Sequence, residues 1–145
     1  MYKLKNTIFN TPFEMELRII LLMSNVPRKF FSADRILVFD FMACYGKEYN
    51  ISDINLHGDN HYMYGEIANR SSLLYKAIKN LVVKGYIFVA LKNGYQYYVS
   101  DSGIEVAKRF SCKYANTYIN IVKNIAEKYD KCEDIDLLNL IQRYK

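Results

Sequence analysis

The chain has 145 residues, with 20 Lys and Arg against 15 Asp and Glu, giving a formal charge of +5. Hydrophobic residues make up 51% and charged residues 24%, which excludes a disordered tail; the length supports one ordinary domain, or a small domain with an extension, whose core needs no disulfide or metal. The excess charge is local: from Ile67 to Ser100 there is no acid, only Arg70, Lys76, Lys79, Lys84 and Lys92, and the rest of the chain is neutral.

Thr11-Pro12-Phe13-Glu14 predicts a helix start, with Thr11 as cap, Pro12 in the first turn and Glu14 completing a capping box. The helix runs to about Ser24 and is apolar nearly all round, so it belongs at the centre of the core. Ser32 caps a second apolar helix through about Tyr45. Asp40 inside it needs a partner, and Arg18 or Arg35 is the expected one. Gly46 to Tyr64 reads as a long polar loop, with a short helix starting near Tyr64. A clear helix follows from about Arg70 to Lys84, with Leu74, Ala77, Ile78, Leu81 and Val82 on one face and Gly85 closing it. Tyr86–Leu91 and Tyr95–Val99 form a hairpin through the Asn93-Gly94 turn. Ser100, Asp101 and Ser102 supply caps for the next helix, and Ser102 and Glu105 have capping-box spacing. An apolar stripe from Ile104 to Ile125 predicts one unbroken helix to about Tyr129, followed by a short helix over about Ile135 to Tyr144.

This order predicts a mainly α fold with a small β wing: a winged helix-turn-helix domain over residues 1–100, and a helical extension over 101–145 that packs on the domain and on partners. On the helix and wing, Arg70, Ser72, Tyr75, Lys76, Lys79, Lys84 and Lys92 are the candidate contacts to nucleic acid or an acidic partner. Lysines neutralise phosphates, and Ser and Tyr hydroxyls donate to them. The same residues also suit an ordinary solvated face, and no Arg sits mid-helix to read guanine. On the extension, Tyr114, Tyr118, Ile121, Ile125, Tyr129, Leu137, Leu138 and Ile141 are the candidate partner-helix interface, because a small winged domain covers only part of so long a stripe.

Cys44, Cys112 and Cys132 are far apart and odd in number, which argues against a disulfide framework or a structural zinc site. His57, Asp59 and His61, even with Cys44, are a weak metal signal; a hydrogen-bonded loop is the plainer reading, and no metal or cofactor is expected. No phosphate loop, nucleophile elbow or His–carboxylate pair supports an enzyme, so no catalytic residue is expected. The start has no signal-peptide core, and the longest apolar run, Ile19 to Met23, is far short of the roughly 20 residues of a membrane span. The chain therefore reads as soluble and cytoplasmic, without membrane contact.

The runs Thr11-Pro12-Phe13-Glu14 with Leu17-Arg18-Ile19-Ile20, Ser32-Ala33-Asp34-Arg35-Ile36-Leu37 with Phe39-Asp40-Phe41, Leu56-His57-Gly58-Asp59-Asn60 with Tyr64-Gly65-Glu66, and Lys84-Gly85-Tyr86-Ile87 together resemble the small middle components of ABC-three-component prokaryotic conflict systems, of which the Lamassu type is a relative. The resemblance covers about residues 7 to 129 and is distributed; the family often has Pro where this chain has Gly58 and His61. It implies a non-enzymatic subunit of an anti-phage or anti-plasmid complex. Its partners would be an ATPase resembling SMC or Rad50 proteins and an effector, often a nuclease, with double-stranded DNA as a further contact. The other reading of the residues is a homodimeric winged-helix transcription regulator.

Overall fold

The structure is a computed structural model and describes residues 11–58 and 63–142. Among these, α1 spans Pro12–Asn25, α2 Ala33–Cys44, α3 Ile67–Val83, α4 Asp101–Lys108, α5 Lys113–Tyr129 and α6 Asp134–Gln142. Strands β1 (Ile87–Leu91) and β2 (Tyr95–Val99) lie between α3 and α4, and short 3-10 turns cover Gly46–Tyr49 and Met63–Glu66. Asp59, Asn60, His61 and Tyr62 of the predicted loop, and Tyr144 of the predicted last helix, lie outside the described residues.

Thr11 and Ser32 cap α1 and α2 as expected. Thr11 accepts the Glu14 N–H at 3.2 Å, and Ser32 accepts the Arg35 N–H at 3.0 Å. α1 is buried on every side from Met15 to Met23 because it packs against α2, α3, α4, α5 and β2. Each of its aliphatic side chains contributes about 1.5–3 kcal/mol by leaving water. α3 starts at Ile67: the short helix predicted over Glu66 to Asn69 and the helix predicted from Arg70 are one, and the Met63–Glu66 turn runs straight into it. It ends before Gly85, whose φ of +78° is left-handed backbone.

β1 and β2 pair antiparallel with Ile87 opposite Val99 and Leu91 opposite Tyr95. Asn93 and Gly94, with φ of +55° and +97°, make the tight turn. Phe31, in the α1–α2 connection, exchanges both backbone hydrogen bonds with Tyr97, at 2.9 and 2.7 Å. That bridge occupies the other edge of β2 and fastens the hairpin to the helical body.

The predicted unbroken helix is two helices. The chain leaves helical geometry over residues 109–112 and restarts with Cys112 as the cap of α5. Ser111 and Cys112 are weak helix formers, and the break lets α4 and α5 both lie against α1, with α5 also reaching α2. Phe110 at the break meets Phe13 edge-on, ring centres 6.5 Å apart. Of the three residues offered as caps for α4, Ser100 takes the role and accepts from the Gly103 N–H at 3.0 Å, while Ser102 lies inside the helix.

The first turn of α4 presses on the strand ends. A Cβ at Gly103 would collide with the Tyr86 carbonyl oxygen and lie 2.7 Å from Val99 Cγ2. The Tyr86 carbonyl cannot retreat, because it accepts from the Ser100 N–H and hydroxyl at 2.9 and 3.0 Å. Alanine gains about 1 kcal/mol in helix propensity over glycine, less than the overpacking cost. Gly103→Ala is therefore expected to destabilise the fold by about 2 kcal/mol, read as a lower urea midpoint.

The turn after α5 is held by charge. Arg35 Nε meets Asp134 Oδ1 at 3.1 Å, Ser32 donates to Asp134 Oδ2 at 2.5 Å, and Arg28 meets Asp130 at 3.1 Å. Arg35, one of the two residues expected to neutralise Asp40, is therefore spent on α6. Leu137 and Ile141 carry α6 into the same continuous apolar core as α1 and α2.

Candidate partner interface

Asp40 is fully buried, and four hydrogen bonds converge on it. Oδ1 accepts from Arg18 Nε at 2.9 Å and from the Tyr118 hydroxyl at 2.7 Å. Oδ2 accepts from a second Arg18 nitrogen and from Arg70, each at 3.3 Å. Burial alone would raise this carboxyl; Arg18, then Arg70 and the hydrogen bonds, outweigh it and bring it down to about 2. Arg70 also lies 3.7 Å from Glu66, which accepts from the Tyr45 hydroxyl at 2.6 Å. Arg18 hydrogen-bonds Tyr114, whose hydroxyl meets His57 Nε2 at 2.7 Å. This hub joins α1, α2, α3, α5 and the loop after α2.

The hub does not offer a nucleophile. Cys44 Sγ lies 3.9 Å from His57 Nε2, but burial and then Asp40 push its thiol up, so the reactive thiolate is disfavoured. Among the described residues no three His, Cys, Asp or Glu side chains gather as metal ligands, and no helix is long and apolar enough to cross a membrane.

The basic segment divides. Ser72, Tyr75, Lys76 and Lys79 are exposed on α3. Arg70 is buried, so its candidacy as a surface contact is corrected: it is the second partner of Asp40. Lys84 donates to Glu16 at 2.7 Å, and Lys92 lies 4.3 Å from the centre of the Phe30 ring.

The candidate partner-helix residues are also corrected as a free surface. Tyr118, Ile121, Ile125, Leu137 and Ile141 are buried, and Tyr114, Tyr129 and Leu138 are half-buried. The break before α5 and the length of α1 and α2 allow the chain to cover this stripe itself.

Between α3 and the hairpin lies a cleft of about 240 Å³, lined by Tyr75, Ile78, Lys79 and Val82 from α3 and by Val89, Tyr95 and Tyr97 from the strands. Burial, then Tyr75 and Tyr95, raise the Tyr97 hydroxyl above its ordinary value. A second cleft of about 510 Å³ is lined by Asn25 at the end of α1, by Pro27 after it, and by Lys123, Ala126, Glu127, Asp130 and Lys131. The two share no residue.

The family model for the ABC-three component (ABC-3C) system Middle Component 2 matches residues 8–145. The chain belongs to that family. No curated protein and no solved structure matches it.

As an ABC-3C middle component, the chain is one part of a system with several components. Its sequence-predicted contact residues Tyr75 and Lys79 are brought together at the α3–hairpin cleft, with Lys76 beside them on α3. The hairpin side chains Val89, Tyr95 and Tyr97 were not among the predicted contacts of this middle component. A signal for them existed: β1 reads Ile-Phe-Val-Ala-Leu, apolar on both faces, whereas a lone hairpin can bury only one against the helices.

Proposed function

We propose that the chain is a non-catalytic winged-helix subunit of a prokaryotic defence complex, bridging an ATPase resembling SMC or Rad50 proteins and an effector, probed first as a nuclease. The observation that carries this is the family match over nearly the whole chain. The winged-helix assignment is supported by α3 leading into the hairpin and by the Phe31–Tyr97 bridge, which adds a third strand-like segment to β2. Two clefts with no residue in common support a bridging role. Relation to the Lamassu type belongs to the same proposal, and the exposed Lys76 and Lys79 of α3 are its contact to an acidic partner rather than to double-stranded DNA.

The homodimeric-regulator reading loses its main support, because the helix stripe that would build the dimer is spent on the chain's own core.

Co-expression with the other components of the system, followed by gel filtration, tests the proposal. A stable complex containing the chain and at least two other components is expected. Elution of the chain by itself would overturn it.

A further inference from the structure

The α3–hairpin cleft is a surface that the subunit reading leaves without an occupant. Ile78, Val82 and Val89 form its apolar lining, and Tyr75, Tyr95 and Tyr97 add three phenol rings. The apolar surface continues past the cleft: Leu91, paired with Tyr95 on the same face of the hairpin, is 80% exposed, and Tyr95 is 66% exposed. Contiguous exposed apolar surface of this kind marks an interaction site. The volume of about 240 Å³ is below the roughly 300–1,000 Å³ of a small-molecule pocket, and suits a single bulky side chain presented by a peptide.

Charge narrows the occupant. The whole segment from Ile67 to Ser100 has no acid, and Lys76 and Lys79 are exposed, with no ion pair among the described residues. Duplex DNA fits poorly. Of the five cations in the segment, Arg70 and Lys84 are paired internally and Lys92 is held over Phe30. Two remaining phosphate contacts would give a salt slope of only about −2, and specific DNA interfaces are polar and strongly positive, where this face is aromatic and aliphatic. A second copy of the chain fits no better, since a symmetric contact would set Lys79 against Lys79 with no acid in the segment to meet either.

We propose that this cleft docks an acidic peptide segment of a partner protein, with a bulky apolar side chain seated among Tyr75, Val82, Val89 and Tyr95 and carboxylates facing Lys76 and Lys79. The inference rests on the subunit reading and specifies the chemistry of one of its contacts. Apolar anchoring supplies most of the affinity, and the lysines supply steering and register.

The test uses the full chain, co-expressed with the other components of its system and carrying photoreactive benzoylphenylalanine in place of Tyr95. After irradiation, the cross-linked peptide is mapped by mass spectrometry. A cross-link to a segment of another component rich in Asp and Glu, with an adjacent aromatic or aliphatic residue, is the expected result. Lys76→Glu with Lys79→Glu should lower the cross-link yield at least tenfold and leave the melting temperature nearly unchanged, as befits two exposed positions. Lys76→Gln with Lys79→Gln, run beside it, should lose yield in the same direction and guards against a helix disturbed by the new acids. Cross-linking to DNA, to a second copy or to a segment without acids overturns the inference, as does an intact complex with no cross-link or an unchanged yield in both lysine variants. Failure of the unsubstituted chain to enter any complex would instead overturn the subunit reading, and this inference with it.

Discussion

Asp40→Ala should destabilise the fold by about 3–5 kcal/mol, lowering the melting temperature by about 10 °C, because it leaves Arg18 and Arg70 facing each other in the core without their shared anion. Both guanidiniums are buried, so water cannot replace the lost carboxylate. Tyr118→Phe is the contrasting variant: it removes one hydrogen bond to Asp40, leaves both ion pairs, and should cost about 1–2 kcal/mol. Urea unfolding of the two variants checks the order. Equal losses would mean that the charge of Asp40 contributes little and that packing around the site dominates.

Acid should weaken the protein well before its carboxylates titrate. Burial first, then Arg18 and Arg70, hold His57 down at about 3, against about 6.5 in an unfolded chain. Between those values the unfolded state takes up a proton that the folded state refuses. Stability is therefore full above about pH 6.5 and falls as the pH drops, by about 1.4 kcal/mol per unit down to about pH 3. Asp40 acts in a lower window. Its folded value of about 2 lies below the unfolded value of about 3.9, so its contribution is complete above that range and is lost only as the pH falls towards 2. Urea midpoints between pH 7 and pH 5 cover the histidine window, and substitution of His57 assigns its share. His57→Gln should flatten the profile over that interval, and an unaltered slope would show that His57 is charged in the folded state.

The positions most readily read from the sequence are those whose chemistry is local. Thr11, Ser32 and Asn93-Gly94 each act on backbone within three residues, so spacing alone reveals them. That Asp40 needs a cation from Arg18 or Arg35 was also legible, because an acid inside an apolar helix has few other uses; which of the two serves it depends on where Asp134 falls. Arg70 was not. It stands at the end of a basic run, where a solvated role is the ordinary reading, and its partner is 30 residues away in the chain. The break before α5 was hidden because the apolar stripe keeps its helical spacing on both sides of it, through Ile104, Ala107, Phe110 and Tyr114. The cleft was half legible: its α3 wall carries the predicted Tyr75 and Lys79, whereas its hairpin wall depends on which strand face turns towards the helix.

The Phe31–Tyr97 bridge has a mechanical consequence. Phe31 is followed directly by Ser32, which caps α2 and also holds Asp134. Three residues before Phe31, Arg28 grips Asp130, which lines the second cleft. A single hydrogen-bonded strip over residues 28–35 thus runs from the hairpin to the far end of α5. Through Tyr97 in one cleft and Asp130 in the other, this strip ties the linings of the two clefts together by backbone and side-chain bonds.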